Sequence, residues 1–116
     1  MRAQSTYAVV WRERGGQLCA GRLELRPDAL RLAGRGGGGS VTRELAYAEL
    51  CGARIGRSSE ERLEGLPALV LTLREGGRLL VGSITGLGAL IELTDRLVSR
   101  LDRERPLPFD GRPAAA

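Results

Sequence analysis

T-G-L-G-A-L-I-E-L-T-D-R-L-V-S-R-L, residues Thr85 to Leu101, is the one long helix that this 116-residue chain can make. Leu87, Leu90, Ile91, Thr94, Leu97, Val98 and Leu101 recur at i, i+3, i+4 and i+7, which draws one apolar stripe along about four turns. A stripe of that kind needs a surface to cover, and the chain before it reads as strands. The expected fold is mainly β: a seven-stranded antiparallel bent sheet or partly open barrel, capped by this one C-terminal helix.

Upstream of the helix, R-L-L-V-G-S and P-A-L-V-L-T-L-R are strands joined by a turn at Glu75 to Gly77, and the second is apolar on both faces. The polar run G-R-S-S-E-E-R-L-E-G-L-P, residues 56–67, is predicted as a long loop and a candidate functional rim. Before it, L-C-G-A-R-I and V-T-R-E-L-A-Y form two strands. The second of these places Val41, Arg43, Leu45 and Tyr47 on one face. R-G-G-G-G-S, with four successive Gly, is expected to be a flexible loop. A-L-R-L-A-G turns Leu30 and Leu32 inward. In Q-L-C-A-G-R-L-E-L-R the apolar phase shifts at Gly21, which predicts a bulge or sharp bend. T-Y-A-V-V-W-R-E opens the sheet, with Tyr7, Val9 and Trp11 on its core face and R-G-G-Q as the following turn.

Downstream, R-E-R-P-L-P-F-D-G-R-P-A-A-A is Pro-rich. We expect a single domain over residues 1–104 and a mobile tail over 105–116. No stretch approaches the roughly 20 apolar residues of a membrane span, and the five-residue run Tyr7 to Trp11 is too short for a signal-peptide core. These readings place the chain in the cytoplasm. Cys19 and Cys51, each within an apolar strand pattern, are expected to be small buried thiols.

The chain has no His, so neither a Ser-His-Asp triad nor a Cys-His pair can be built within it. Two Cys without His fall short of a structural zinc site, and Glu60, Glu61 and Glu64 read as surface, not as a metal cluster. We expect no enzyme, no metal and no cofactor. The Gly-rich run at 34–40 lacks the Lys of a phosphate loop and precedes a strand. G-S-I-T-G-L-G at 82–88 does enter a helix, so Thr85, Gly86 and Gly88 are the candidate anion site at the helix N-terminus. The plainer reading is a helix start capped by Ser83 or Thr85.

The formal net charge is +4, and all eighteen basic residues are Arg. Ten of them precede Ser59 against five acids, so the excess sits on the strands. Acids interleave with most of the Arg, as on a solvated salt-bridged surface; Arg12, Arg14, Arg22, Arg54 and Arg57 are the candidate anion-binding set. On the helix, Glu92 with Arg96 and Arg100 with Glu104 are spaced i, i+4, which neutralises its outer face and argues against a nucleic-acid-reading or membrane-lying helix.

Seven meandering strands followed by one amphipathic helix, with A-G-R-L-E-L-R-P-D-A-L-R-L, L-A-Y-A-E-L and L-V-G-S-I-T-G-L-G-A-L in order, resemble the pleckstrin-homology-like (PH-like) domains, particularly the short stand-alone bacterial members. The resemblance covers Tyr7 to Leu101. It implies a bent two-sheet barrel closed by the helix and a repertoire of binding: phosphoinositides, peptides, other proteins or self-assembly. Lipid-binding members carry a basic cluster on the first hairpin and usually a Trp in the C-terminal helix. Here Arg12, Arg14 and Arg22 have Glu13 and Glu24 beside them, and the only Trp is Trp11 on the first strand. The expected function is therefore a non-enzymatic binding or scaffolding module for a protein partner or for a second copy of itself, through edge strands or the 56–67 loop. The alternative is binding to acidic lipid or nucleic acid through the Arg set.

Overall fold

In a computed structural model, the described residues are 6–13 and 15–104, the side chain of Glu104 excepted. Among them, nine strands precede one α-helix. They are β1 (Thr6–Glu13), β2 (Cys19–Leu25), β3 (Ala29–Gly36), β4 (Gly39–Ala46), β5 (Leu50–Ile55), β6 (Arg62–Leu63), β7 (Leu66–Pro67), β8 (Leu69–Leu73) and β9 (Arg78–Ser83), followed by α1 (Leu87–Glu104). Seven of the strands form a single antiparallel sheet in the order β4-β3-β2-β1-β9-β8-β5. The first four are successive hairpins. A 3-10 turn at Tyr47–Glu49 then turns the corner, and β5, β8 and β9 run back until β9 pairs with β1, Trp11 standing opposite Val81.

Because β4 and β5 are the two ends of that order, the curled sheet is a half-barrel with an open side. The helix lies across it, packed mainly over β5 and touching the Tyr47–Glu49 turn and β9. Leu90, Leu93, Leu97 and Leu101 enter a core shared with Val9, Trp11, Leu23, Leu32, Leu71 and Leu79. Each such side chain contributes roughly 1.5–3 kcal/mol on burial, so the helix is a structural lid.

Register is unbroken through Gly21, so there is no bulge there; Cys19, Gly21, Leu23 and Leu25 all belong to the inward row. Gly21 pairs with Gly34 on β3, and a Cβ on Gly21 would meet the backbone of Ala33 and Gly34. Two absent side chains let the backbones of β2 and β3 approach closely. Across the half-barrel, Arg43 of β4 donates from Nε and Nη2 to the two carboxylate oxygens of Glu13 at the end of β1, at 3.0 and 2.8 Å. The run R-G-G-G-G-S is not a flexible loop: β3 continues to Gly36, β4 starts at Gly39, and Gly37 and Gly38 form the two-residue hairpin turn. Both have positive φ, 61° and 86°, which that tight turn demands and which Gly supplies without strain.

The predicted 56–67 loop is also ordered. A 3-10 turn at Ser59–Glu61 and the β6/β7 hairpin fold back over the outer face of the sheet. There Leu63 is 1% exposed, and its side chain faces Gly82 and Val10. This strap explains why β8 is apolar on both faces: Leu69 and Leu71 serve the barrel core, while Val70 lies beneath the strap side, fully buried. Of the two cysteines, Cys19 is buried as expected, but Cys51 is exposed at a register shift in the edge strand β5. The tail 105–116 and Arg14 of the first turn lie outside the described residues.

Candidate functional site

The helix does not bury the whole stripe that its sequence draws. Leu90, Thr94, Leu97 and Leu101 face the sheet together with Leu93, whereas Leu87, Ile91 and Val98 are 51%, 46% and 37% exposed. At 100° per residue the three exposed residues share one flank, about a quarter turn from the buried row. The opposite flank is tied down. Tyr7 of β1 donates to Glu92 at 3.1 Å, and Arg100 donates to the Arg26 carbonyl at 3.1 Å with its guanidinium 5.7 Å from the centre of the Tyr47 ring. The apolar flank therefore runs along the β5 side. Asp95 and Asp102 border it, exposed, and neither carboxylate has a partner among the described residues.

At the helix N-terminus this ridge continues onto the strap. Leu66, 62% exposed, stands with Pro67, Ser83, Gly86, Leu87 and Leu90 around a mostly apolar groove of about 200 Å³, and Ile84 is exposed beside it. The adjoining strand β5 is a sheet edge whose outer backbone groups have no strand partner among the described residues, and its inward residues Ala53 and Ile55 are only half-buried. An open strand edge beside a continuous apolar ridge is a surface on which another chain can add backbone hydrogen bonds and bury side chains.

Among the described residues, Arg12, Arg22, Arg54 and Arg57 of the candidate anion-binding set do not form one cluster. Arg54 of β5 holds Glu61 bidentately at 3.0 and 2.6 Å, and Arg78 of β9 donates to the same carboxylate at 2.9 Å. The backbone N–H of Arg57 adds a further bond to it at 3.0 Å. Glu61, read from sequence as surface, is 8% exposed, and the Arg54 hydrogen bonds hold its pKa at about 2, with the Arg57 N–H acting in the same sense. This cluster pins the strap, so the 56–67 segment is a fixed structure on the outer face. The Arg57 side chain is exposed and unpaired among the described residues. Arg12 lines a groove of about 290 Å³ with Glu13, Glu60 and Arg78, and Arg22 lies on the outer face of β2. Two of the Arg12 groove's four charged side chains are already engaged, Glu13 with Arg43 and Arg78 with Glu61.

Ser83 Oγ accepts from the N–H groups of Thr85 and Gly86, each at 3.2 Å, and so closes the turn that leads into α1 without bonding the N–H groups of its first helical residues. Thr85, Gly86 and Gly88 are exposed there, and Gly86 belongs to the apolar groove. The Glu92–Arg96 pair forms at 3.2 Å. Arg100 turns instead to Arg26 and Tyr47, and the Glu104 side chain lies outside the described residues. Among those residues no group of three or more Cys, Asp or Glu could hold a metal ion, and no helix is long and apolar enough to cross a membrane.

Neither a protein-family model nor a curated protein matches this chain. Among solved structures, the C-terminal domain of an unknown protein from Leishmania infantum is similar in fold, with a TM-score of 0.62 and 14% sequence identity over 86% of this chain and 84% of that one.

Proposed function

We propose that the chain is a non-enzymatic, PH-like binding module that engages a protein partner through the face formed by the β5 edge and the Leu87–Ile91–Val98 flank of α1. The observation that carries this reading is the exposure of those three apolar side chains beside an unpaired strand edge. The partner is an extended segment that adds to β5 as a further strand, sets apolar side chains on the ridge and presents Arg or Lys to Asp95 and Asp102. The unpaired carboxylates on the ridge border favour that charge pattern. The strand order and the terminal helix support the PH-like assignment, and the two free thiols, one exposed, suit a reducing cytoplasmic setting.

Extended peptides selected by display against the folded domain, followed by amide-shift mapping of the tightest binder, test this reading. It expects perturbations along 50–55 and 87–98. Shifts confined to the β2–β4 face would contradict it. Sedimentation run alongside separates a second copy from a different partner: a dimer whose dissociation follows Ile91→Asp makes the occupant another copy of the chain.

A further inference from the structure

We infer that residues 105–112, the segment that follows α1, fold back over the Val98 half of the binding face, with Leu107 and Phe109 as the apolar contacts and Arg105 and Arg112 as the charged ones. The inference rests on the proposed role of the β5 and α1 face as a binding surface. It names an occupant for half of that face from within the same chain.

The course of α1 delivers this segment to the face. Leu87 and Leu90 stand with Pro67, two residues before the Leu69 that pairs with Ile55, whereas Arg100 reaches the Tyr47 ring just before Leu50. Helix and edge strand therefore run antiparallel, and a chain that leaves Glu104 and reverses travels back along β5 and the exposed flank. The sequence favours that path. A residue before proline is disfavoured in the helical region, so Pro106 takes Arg105 out of the helix, and the steps Leu107-Pro108 and Arg112-Pro113 keep the segment extended. In an extended chain Leu107 and Phe109 share one face, and the N–H groups missing at Pro106 and Pro108 fall on one edge. The other edge keeps the N–H groups of Leu107 and Phe109, which suit the open side of β5. A segment already held extended loses less entropy on docking.

Reach decides how much of the face is covered. Along the helix from Glu104, Val98 lies about 9 Å away, Asp95 about 14 Å and Leu87 about 26 Å. An extended chain advances about 3.3 Å per residue, so Phe109 stands at most about 17 Å from Glu104, less what the reversal uses. Leu107 and Phe109 come level with Asp102 and Val98, and Arg112 with Asp95. Leu87 and the groove it shares with Leu66 stay beyond the reach of Phe109. The charges agree, because Asp95 and Asp102 border the Val98 flank, exposed and without partners among the described residues, while two of the three charged residues of 105–112 are Arg.

Phe109 is the only Phe of the chain, so phenylalanine-selective labelling of the full chain gives a single ring to follow. The inference expects nuclear Overhauser contacts from that ring to the Val98 methyl groups, persisting on dilution. Leu107→Ser/Phe109→Ser should move the amide signals of 50–53 and 95–102, leave those of 66 and 84–87 in place and keep the melting temperature nearly unchanged. Docking leaves only a fraction of the molecules open to a partner, so the same full-chain variant should bind the display-selected peptide at least about threefold more tightly. Contacts that vanish on dilution would put a second copy's segment on the face and overturn the inference, as would a Phe109 ring without contact to Val98. The two readings fail separately. Equal peptide affinity in variant and wild type overturns the covering segment and leaves the partner reading standing, whereas a peptide that binds neither chain sinks the partner reading and leaves the Phe109 contacts to decide the docking.

Discussion

Arg54 on the edge strand β5 and Glu61 on the strap share two hydrogen bonds, at 3.0 and 2.6 Å, and through them a polar twelve-residue run becomes a fixed part of the domain. Arg78 and the Arg57 N–H donate to the same carboxylate. The strap is thus held on one side by charge and on the other by the buried Leu63.

The pKa of Glu61 is lowered from 4.5 to about 2, which fixes a pH dependence. The unfolded chain takes up this proton more readily than the folded one, so the Glu61 contribution is complete above about pH 4.5 and is lost as pH falls towards 2. Glu61→Gln should lower the melting temperature at pH 7 and flatten its decline between those two pH values. Parallel melting curves for the two proteins across that range would show that the carboxylate does not hold the strap.

Hydrogen exchange should separate the strap from the sheet. Leu63→Ala removes a side chain that is 1% exposed, at a cost of about 2–5 kcal/mol if the site cannot collapse. Amides of 56–68 should lose protection before those of β1 and β9. Uniform loss throughout the sheet would mean that the strap and the barrel unfold as one unit.

Leu97 and Val98 are adjacent in sequence and opposite in consequence. Leu97 is fully buried in the core, so Leu97→Asp places an unpaired charge there and should leave no cooperative unfolding transition. Val98, 37% exposed, should accept Asp with little change in melting temperature. Thermal denaturation of the two variants side by side checks the placement of the lid.

The close approach of β2 and β3 predicts an intolerant pair of glycines. A Cβ on Gly34 would come within 2.7 Å of Gly21 Cα and of the Ala20 carbonyl carbon, backbone atoms that cannot turn aside. Gly34→Ala should cost about 1–3 kcal/mol, whereas Gly39→Ala, where nothing lies within 4 Å, should cost much less. Chemical denaturation midpoints give the comparison.

Periodicity was enough for the sheet and the lid, because alternation in Tyr7–Val9–Trp11 and in Leu30–Leu32 and the 3.6-residue spacing of 90–101 are local signals. Three features were not local. The four glycines of 36–39 look like a linker until their neighbours pair and Gly37 and Gly38 become a two-residue turn. Glu61 looks like surface because its partners Arg54 and Arg78 arrive from strands flanking β8 in the sheet. The helix stripe spans more apolar residues than one contact can cover, so spacing alone could not say that Leu87, Ile91 and Val98 would stay outside. In β8, apolar character on both faces was the visible trace of the strap.

The most direct measurement is the affinity of a display-selected extended peptide for the wild-type domain and for Ile91→Asp and Val98→Asp, with melting temperatures taken on the same samples. We expect both variants to melt like the wild type and to bind the peptide at least about tenfold more weakly, as loss of an apolar anchor at an interface does. Unchanged affinity in two folded variants would contradict the assignment of the β5 and α1 face as the binding surface.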